Sequence, residues 1–378
     1  MSTTQHKTRV NDARGFTLIE LLIALIITSI IVLAGFTILT TSNKATRANT
    51  QTVATQSNVR SAMELMSRDL KMAGFGMTGP VGNCPTAIVP SDNTPAGADS
   101  GPDAVSMVVP AVSNANAQWV LSAQAAAPAN QIQLSSAHVS DMATLGLANG
   151  SVVSLGGAFS VQVTAVNAGT GVITLAAPIV APAVFPAKTT TTPQGPDTPV
   201  YLLQCVTYQV IRPPDTNNVC AGNAPCLVRG VPAAANNCDV AASPCIPIVD
   251  GIEDLQLAYA CDGCVSTING GVPDGTIDDQ PTTPSGFDVS DFVTNSTWAT
   301  PPLTPDKVRL IQLSIVARQT ATDVGMGDTN AAGTFTAAPL QVSDHNAAAD
   351  TGYYNAAQYQ QQRRRVLVRT ISTRNMGL

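Results

Sequence analysis

The sequence predicts an α+β fold in which one long N-terminal helix precedes a β-rich domain. An apolar run without any charged residue covers the 23 residues from Leu21 to Asn43. An apolar stripe at helical spacing follows this run. Farther along the chain, apolar and polar residues alternate in several segments, a pattern typical of strands. Because the strands come after the helix, we expect an antiparallel sheet that packs against it.

The apolar run is long enough to span a membrane. At about 1.5 Å per helical residue, 23 residues exceed a hydrocarbon layer of about 30 Å. The leader, residues 1–15, carries four charges, on Lys7, Arg9, Asp12 and Arg14, and Glu20 is the one acid close to the start of the apolar run. An ordinary secretory signal would have a shorter apolar region and a small-x-small cleavage site, which TTSNKATRAN does not offer. A plain N-terminal anchor with its leader retained in the cytoplasm is the simplest interpretation. Lys44 and Arg47, just beyond the run, weaken any orientation argument from positive charge.

We expect the helix to continue from Lys44 to about Ala73. Apolar residues recur there at spacings of three and four, at Val59, Met63, Met66, Leu70 and Ala73. Such a stripe predicts a buried helix face rather than a cofactor site. Gly74 and Gly76, followed by Pro80, predict the end of the helix.

The remaining chain contains ten strand candidates. They are 105–112, 131–136, 151–155, 159–166, 171–179, 200–211, 226–231, 248–262, 307–319 and 363–375. The segment AVNAGTGVI predicts a hairpin turn between two of them. We expect residues 130–180 to form a small β-module inserted into the larger domain, and 248–262 to combine a short turn or helix with a strand.

Charge and composition exclude some classes of function. Charged residues make up only 12% of the chain and aromatic residues 4%. The net charge is −6, and it becomes about −8 without the basic leader. This balance argues against a broad nucleic-acid-binding surface.

Eight cysteines lie beyond the membrane segment: Cys84, Cys205, Cys220, Cys226, Cys238, Cys245, Cys261 and Cys264. An even number behind an export segment predicts disulfide bonds in an exported domain. Connectivity does not follow from sequence, because eight cysteines allow about 105 pairings. Short intervals favour the local pairs Cys220–Cys226, Cys238–Cys245 and Cys261–Cys264, which would leave Cys84 with Cys205. A zinc site at the C-x-x-C of residues 261–264 would need a second closely spaced cysteine pair, which is absent from the sequence. A redox role would need a βαβ setting, which the strand pattern does not indicate.

One loop contains candidate calcium ligands. Asp274 and Asp278 flank a Gly-containing loop that could supply oxygen ligands to calcium, but the order of an EF-hand is absent. An Asp-Gly turn is the simpler interpretation.

The sequence contains little that indicates catalysis. No hydrolase, zinc-protease or phosphate-loop motif occurs. Of the three histidines, His6 precedes the apolar run, and we expect His138 and His345 to be solvated in polar loops. Arg363, Arg364 and Arg365 predict alternating exposed charges. We expect neither enzymatic activity nor a cofactor.

The residues Arg14-Gly15-Phe16-Thr17-Leu18-Ile19-Glu20 resemble the type IV prepilin processing site. The resemblance implies cleavage between Gly15 and Phe16 by a membrane-embedded aspartyl peptidase, and N-methylation of Phe16. Glu20 then lies four residues from the new amino group, on the same helix face. A carboxylate at the centre of a membrane helix costs about 2.5–3.5 kcal/mol, so it usually has a partner. In pilins that partner is the N-terminus of a neighbouring subunit; the alternative is a Glu20 that snorkels to the membrane edge.

Three further segments resemble the PilW group of minor pilins: MSRDLKMAGFGM, VDGIEDLQLAYACD and RRRVLVRTISTRN. The group's motifs correspond here to Arg68-Asp69-Leu70, Ala73-Gly74 and Arg374-Asn375. The chain departs from many pilins in having no proline before Pro80.

This resemblance implies a pilin fold with four regions. They are a leader at 1–15, a transmembrane and assembly half of the helix at 16–43, an amphipathic half at 44–76, and a periplasmic or extracellular β-rich domain at 77–378. It implies a minor pilin that helps to initiate assembly of a type IV pilus near the fibre tip, in support of twitching motility, adhesion or DNA uptake.

The implied partners are other minor pilins and the major pilin, bound through the N-terminal helix, the prepilin peptidase and the inner-membrane assembly platform. Nucleic acid is not an expected partner. The protein would cross the inner membrane once, with a cytoplasmic N-terminus, before it enters the pilus. The alternatives are a minor pseudopilin of a type II secretion system and a pilus-tip adhesin that binds through loops 265–305 and 320–358.

Overall fold

The computed structural model describes most of the chain. The described residues are 17–92, 101–112, 118–181, 183–187, 197–220, 222, 224–279, 286–294, 298, 301–320, 322, 339–350, 353–355 and 359–375. The chain divides into two units, residues 1–51 and residues 52–378. Helix α1 (Leu18–Met72) supplies the described part of the first unit and the first element of the second.

In the first unit, α1 is apolar and exposed. Its large aliphatic side chains, from Leu18 to Leu39, are solvent-accessible. The hydroxyl groups within it bond back to the helix: Thr28 Oγ1 donates to Ala24 O at 2.7 Å, and Ser29 Oγ donates to Leu25 O at 2.7 Å. A hydrocarbon environment demands such internal satisfaction of polar groups. By length and composition this helix could cross a membrane.

The second unit is α+β. Its strands are β1 (Ile88–Ser91), β2 (Ala104–Pro110), β3 (Ala125–Ala126), β4 (Gln131–Gln133), β5 (Val152–Leu155), β6 (Phe159–Asn167), β7 (Val172–Leu175), β8 (Val184–Phe185), β9 (Val200–Ile211), β10 (Cys226–Gly230), β11 (Ile246–Asp250), β12 (Ile252–Cys261), β13 (Val308–Arg318), β14 (Gln341–Val342), β15 (His345–Asn346) and β16 (Arg364–Ser372). Helix α2 is Ser136–Thr144, and short 3-10 helices cover Asn269–Gly271, Val289–Asp291, Pro305–Lys307 and Ala347–Ala349.

Two main sheets form the domain, and their strand pairs are antiparallel, as predicted. The larger has nine strands in the order β1-β2-β9-β5-β6-β7-β4, and β10 joins β9 to β11. The smaller has the order β12-β13-β16. Strand β9 is the centre of the larger sheet because its twelve residues pair with β2 on one side and with β5 and β10 on the other.

Helix α1 contributes one face to the principal core. All five residues of the predicted stripe are buried there, together with apolar residues from both main sheets. The helix ends at Met72, one residue before the predicted end. Gly74 and Gly76 have φ of +78° and +68°, and an added Cβ would lie 2.8 Å from Ala87 Cβ and 2.6 Å from Ser154 Oγ respectively. Both positions therefore require glycine.

Residues 130–180 contain a helix as well as strands. The predicted strand 131–136 is shorter, because α2 begins at Ser136 and Ser135 Oγ accepts a hydrogen bond from the His138 N–H at 3.2 Å. This N-cap residue was the sequence signal for the helix. The segment has its own apolar cluster, yet β5 pairs directly with β9, so it continues the larger sheet.

Candidate functional site

Helix α1 begins with a reciprocal capping arrangement. The Thr17 N–H donates to Glu20 Oε2 at 3.1 Å, and Thr17 Oγ1 donates to the same oxygen at 3.0 Å. In return, the Glu20 N–H donates to Thr17 Oγ1 at 3.3 Å. The first N–H groups of a helix have no intrahelical acceptor. Here the N–H groups of Thr17 and Glu20 find acceptors in each other's side chains.

The cap gives Glu20 a role that the sequence interpretation missed. Its signal was the T-x-x-E pattern of residues 17–20, which is a capping box. The bonds use Oε2, and within the described part of the chain Oε1 has no bonded partner. Gly15 and Phe16 lie outside the described residues. The amide N–H of Thr17 would survive a cut after Gly15, so the cap is compatible with processing.

The other end of α1 is held by a buried carboxylate. Asp69 Oδ2 accepts hydrogen bonds from Tyr208 Oη at 2.7 Å and from Arg229 Nε at 3.0 Å, and it forms an ion pair with Arg229 Nη2 at 2.9 Å. Tyr208 lies on β9 and Arg229 on β10. Burial, followed by the negative charge of Asp69, raises the pKa of the Tyr208 phenol, so it remains a donor. The ion pair therefore fixes α1 to the larger sheet.

The C-terminal end of the chain also contacts the end of α1. Asn375 Nδ2 donates to Lys71 O at 3.3 Å, which satisfies one of the last carbonyl groups of the helix. A Cβ on Gly74 would lie 2.9 Å from Asn375 O. The segments Arg68–Gly74 and Arg374-Asn375, far apart in sequence, are thus packed together.

A second buried charge cluster joins β12 to later segments of the chain, between His345 and Arg364. Arg364 binds Glu253 through both Nε and Nη2, and Tyr353 Oη donates to Glu253 Oε1 at 3.2 Å. His345 lies between two carboxylates, with Nδ1 at 2.6 Å from Asp254 Oδ2 and Nε2 at 2.9 Å from Asp350 Oδ1. Burial alone would lower the pKa of His345, but the bonds to these two carboxylates raise it to about 10.

Comparison with known families gives two matches, one over the start of α1 and one over the region from β10 to β16. Residues 10–37 match the prokaryotic N-terminal methylation motif, and residues 216–375 match the family of type IV pilus-assembly protein W, PilW. The first match contains the capped helix start, and the second contains Arg229, the β12 cluster and Asn375. Together the two matches support a PilW-type, prepilin-like pilin. Searches of curated proteins and of solved structures give no significant match.

The family assignment has direct consequences for this PilW-type pilin. Pilins of these families are structural subunits, and membership of a pilus-assembly family implies interaction with other pilins and with the assembly machinery. The methylation motif and the apolar helix fit a pilin that is anchored in the inner membrane and later belongs to the pilus. The α+β architecture agrees with the pilin fold.

Three expectations about single residues of the pilin were wrong. His345 is not solvated but buried, because both ring nitrogens face carboxylates. Arg364 is not an exposed charge, since its ion pair with Glu253 holds it inside, whereas Arg363 and Arg365 are exposed. His138 lies on α2 rather than in a loop and is half-buried.

The cysteines of the pilin form four disulfide bonds. The pairs are Cys84–Cys205, Cys220–Cys226, Cys238–Cys245 and Cys261–Cys264, which match the pairs expected from the short intervals. Three are local, and Cys84–Cys205 joins the segment after α1 to β9 across 121 positions of sequence.

The loop considered for calcium is held by backbone hydrogen bonds. Asp278 accepts from the N–H groups of Gly263, Cys264 and Val265 at 3.1, 2.8 and 2.8 Å. Asp274 Oδ1 accepts from the Thr276 N–H at 2.9 Å. Asp278 thus orders the turn around the 261–264 disulfide. A calcium titration by calorimetry tests the metal hypothesis for Asp274 and Asp278.

Proposed function

We propose that this pilin is a minor, assembly-initiating subunit of a type IV pilus, located near the fibre tip. The observation that carries the proposal is the combination in one chain of the methylation motif at 10–37 and the PilW match at 216–375. A large domain with unequal loops suits a low-copy subunit better than a densely packed one. Such a subunit would support twitching motility, adhesion or DNA uptake, and would have no catalytic role.

Processing would precede assembly. The prepilin peptidase cuts between Gly15 and Phe16 on the cytoplasmic side of the inner membrane, and Phe16 becomes N-methylated. The chain crosses the membrane once, with its N-terminus in the cytoplasm and residues 77–378 outside. The apolar face of α1 then leaves the lipid for the helical bundle of the fibre, where it contacts other minor pilins and the major pilin.

Glu20 would guide the docking step. Its Oε2 accepts the two hydrogen bonds of the cap at the start of its own helix. Its Oε1 can accept a hydrogen bond from the methylated amino group of a neighbouring subunit. A carboxylate that meets a cation as it enters an apolar bundle forms a charge-assisted bond, which fixes the axial register of the two helices.

Deletion of the gene tests the proposal. We expect loss of surface pili, with secretion through a type II system unchanged, and recovery of pili when the full-length chain is restored. Unchanged piliation with impaired secretion would instead assign the chain to the minor pseudopilins, which share the processing signal. Normal piliation with impaired attachment to a surface would favour the tip adhesin.

A further inference from the structure

Strand β16 lies at an edge of the smaller sheet. On one side, its nine residues pair with β13 over their whole length. On the other side, no strand among the described residues pairs with it. With respect to the described residues, the backbone of this edge is therefore open to a further strand.

The register shows which backbone groups face outward. Just beyond the ends of β16, the Gln319 N–H donates to Arg363 O at 3.0 Å and the Thr373 N–H donates to Arg309 O at 3.0 Å. In an antiparallel pair, hydrogen-bonded positions alternate, so the odd-numbered residues of β16 bond to β13. The N–H and C=O groups of Val366, Val368 and Thr370 consequently point away from the sheet.

The opposite edge of the same sheet is covered. Along β12, the Asp103 N–H donates to Leu255 O at 2.8 Å, and the Leu257 N–H donates to Asp103 Oδ2 at 2.8 Å. Tyr259 and Val293 exchange two backbone hydrogen bonds of 2.9 Å each. Loop residues thus replace a neighbouring strand at this edge.

The edges of the larger sheet are short or interrupted. Strand β4 has three residues, β1 has four with Pro90 among them, and β11 has five with Pro247 among them. Short edges and prolines are common devices against unwanted strand pairing. Strand β16 has nine residues and no proline, so its backbone is the most suitable of these edges for strand addition.

The side chains of this edge are apolar and basic. Val366 and Val368 are 39% and 51% exposed, and Arg365 and Arg369 are exposed beside them. No aspartate or glutamate occurs between residues 351 and 378, although the whole chain carries a net charge of −6. A second copy of β16 would bring arginines against arginines, which is unfavourable, whereas carboxylates opposite Arg365 and Arg369 would be favourable.

We propose that β16 binds an acidic, extended segment of another pilus subunit, which adds to the smaller sheet as a fourth strand. The inference rests on the proposed function, because that function supplies the partner subunit. Backbone hydrogen bonds at Val366, Val368 and Thr370 give affinity, and Arg365 and Arg369 select a partner with carboxylates. Besides the helical bundle, the fibre then has a contact between globular domains.

Photo-cross-linking in piliated cells tests the proposal in the full-length chain. The substitution Thr370→p-benzoylphenylalanine places the probe at an exposed position of β16 whose backbone groups face the open edge. We expect an adduct that mass spectrometry assigns to an Asp- or Glu-containing segment of another pilus subunit. The matched position is Thr170, an exposed residue in the β6–β7 turn, where the same probe should give no such adduct.

Other outcomes would overturn the inference. An adduct with residues 323–338 or 376–378 of the same chain would mean that the protein covers its own edge. An adduct with a second copy of the chain would contradict the charge argument. No adduct from a chain that is present in sheared pili would refute strand addition and leave the proposed function intact. Absence of the unmodified chain from pili would instead refute the function.

Variants separate the roles of charge and backbone. The double change R365E/R369E should lower the cross-linking yield about tenfold, since like charges then face each other, and R365K/R369K should retain it. Val368→Pro removes an outward N–H without breaking the ladder to β13 and should abolish the adduct, whereas Val368→Thr should keep it. Cross-linking yields are compared only between variants that unfold at the same urea midpoint as the unmodified chain. If Val368→Pro does not fold, the comparison of R365E/R369E with R365K/R369K tests the proposal by itself. An unchanged cross-linking yield in R365E/R369E contradicts the proposal.

Discussion

Asp69 is the residue on which the attachment of α1 to the larger sheet depends. Replacement by Asn removes the charge but keeps the shape, and it leaves Arg229 without its buried counter-ion. Breaking a buried ion pair from one side costs about 3–5 kcal/mol. We therefore expect Asp69→Asn to lower the free energy of unfolding by about 3 kcal/mol, measured by urea denaturation of the full-length protein in detergent.

Arg68 provides the matched control for Asp69. It also contacts Asp69, at 3.2 Å, but its side chain is 59% exposed. Exposed ion pairs contribute about 0–1 kcal/mol, so Arg68→Ala should change stability little. Equal losses in the two variants would show that the buried pair has no special role in holding the helix.

His345 makes stability depend on pH. Its pKa in the folded protein is about 10, above the ordinary value of 6.5. A raised pKa gives stability that is fully present below pH 6.5 and is lost as the pH rises towards 10. The charged groups around it are Asp254, Asp350, Arg212 and Glu253.

We expect the urea midpoint to be higher at pH 6 than at pH 9, because protonated His345 bonds both carboxylates. His345→Gln should reduce this difference, although it lowers stability at both pH values. His138→Gln is the control and should leave the difference unchanged. A pH dependence that survives in His345→Gln would assign it to another group.

Neither cluster could be predicted from sequence. Asp69 meets its partners across 139 and 160 positions of sequence, at Tyr208 and Arg229. His345 stands among polar residues that are typical of a loop, and only the fold brings Asp254 to it. By contrast, the cap of Thr17 and Glu20 is local and could have been found from the T-x-x-E pattern. Local chemistry is readable from sequence, whereas burial of charge depends on tertiary contacts.

At the scale of elements, the alternation of apolar and polar residues predicted well where the strands lie. It did not predict the order in which the strands pair within the sheets. The predicted strand 200–211 coincides with β9, because twelve residues of mostly apolar and β-branched type have no competing helical period. The pairing of β9 with β2, β5 and β10 depends on contacts that periodicity does not encode. Helix α2 was missed because its nine residues have only two buried apolar positions, Val139 and Met142.

The disulfide bonds differ in how strongly they should stabilise these elements. In the chain-entropy model, a bond that closes a long loop removes more freedom from the unfolded chain than one that closes a short loop. Cys84–Cys205 spans 121 positions, and Cys261–Cys264 spans three. The model predicts losses of about 5 and about 2 kcal/mol for the corresponding double Ser variants.

Chemical denaturation of the two double variants, with intact remaining disulfides verified by peptide mapping, measures the difference. Similar losses would mean that strain or local packing, rather than loop closure, determines the contribution of each bond. The same mapping of the unreduced protein tests the four pairs directly. A free thiol at Cys84 or Cys205 would contradict the long-range bond.

For the whole molecule, the decisive question is whether Glu20 acts in assembly through its charge or only through the helix cap. The two roles use the same side chain but can be separated. Glutamine can replace glutamate in a capping box, so Glu20→Gln keeps the helix start while it removes the charge. Thr17→Ala keeps the charge while it removes the cap, at a cost of about 1 kcal/mol.

If the charge guides docking, Glu20→Gln should be cleaved after Gly15 like the unmodified chain but enter pili about tenfold less, because a neutral amide cannot pair with a neighbour's amine. Thr17→Ala should be cleaved and assembled nearly normally, since packing in the membrane and bundle stabilises the rest of α1. Mass spectrometry of the N-terminus reports cleavage, and quantitative immunoblots of sheared pili report incorporation. The opposite ranking, with Thr17→Ala the more defective, would show that Glu20 serves the helix rather than the neighbouring subunit.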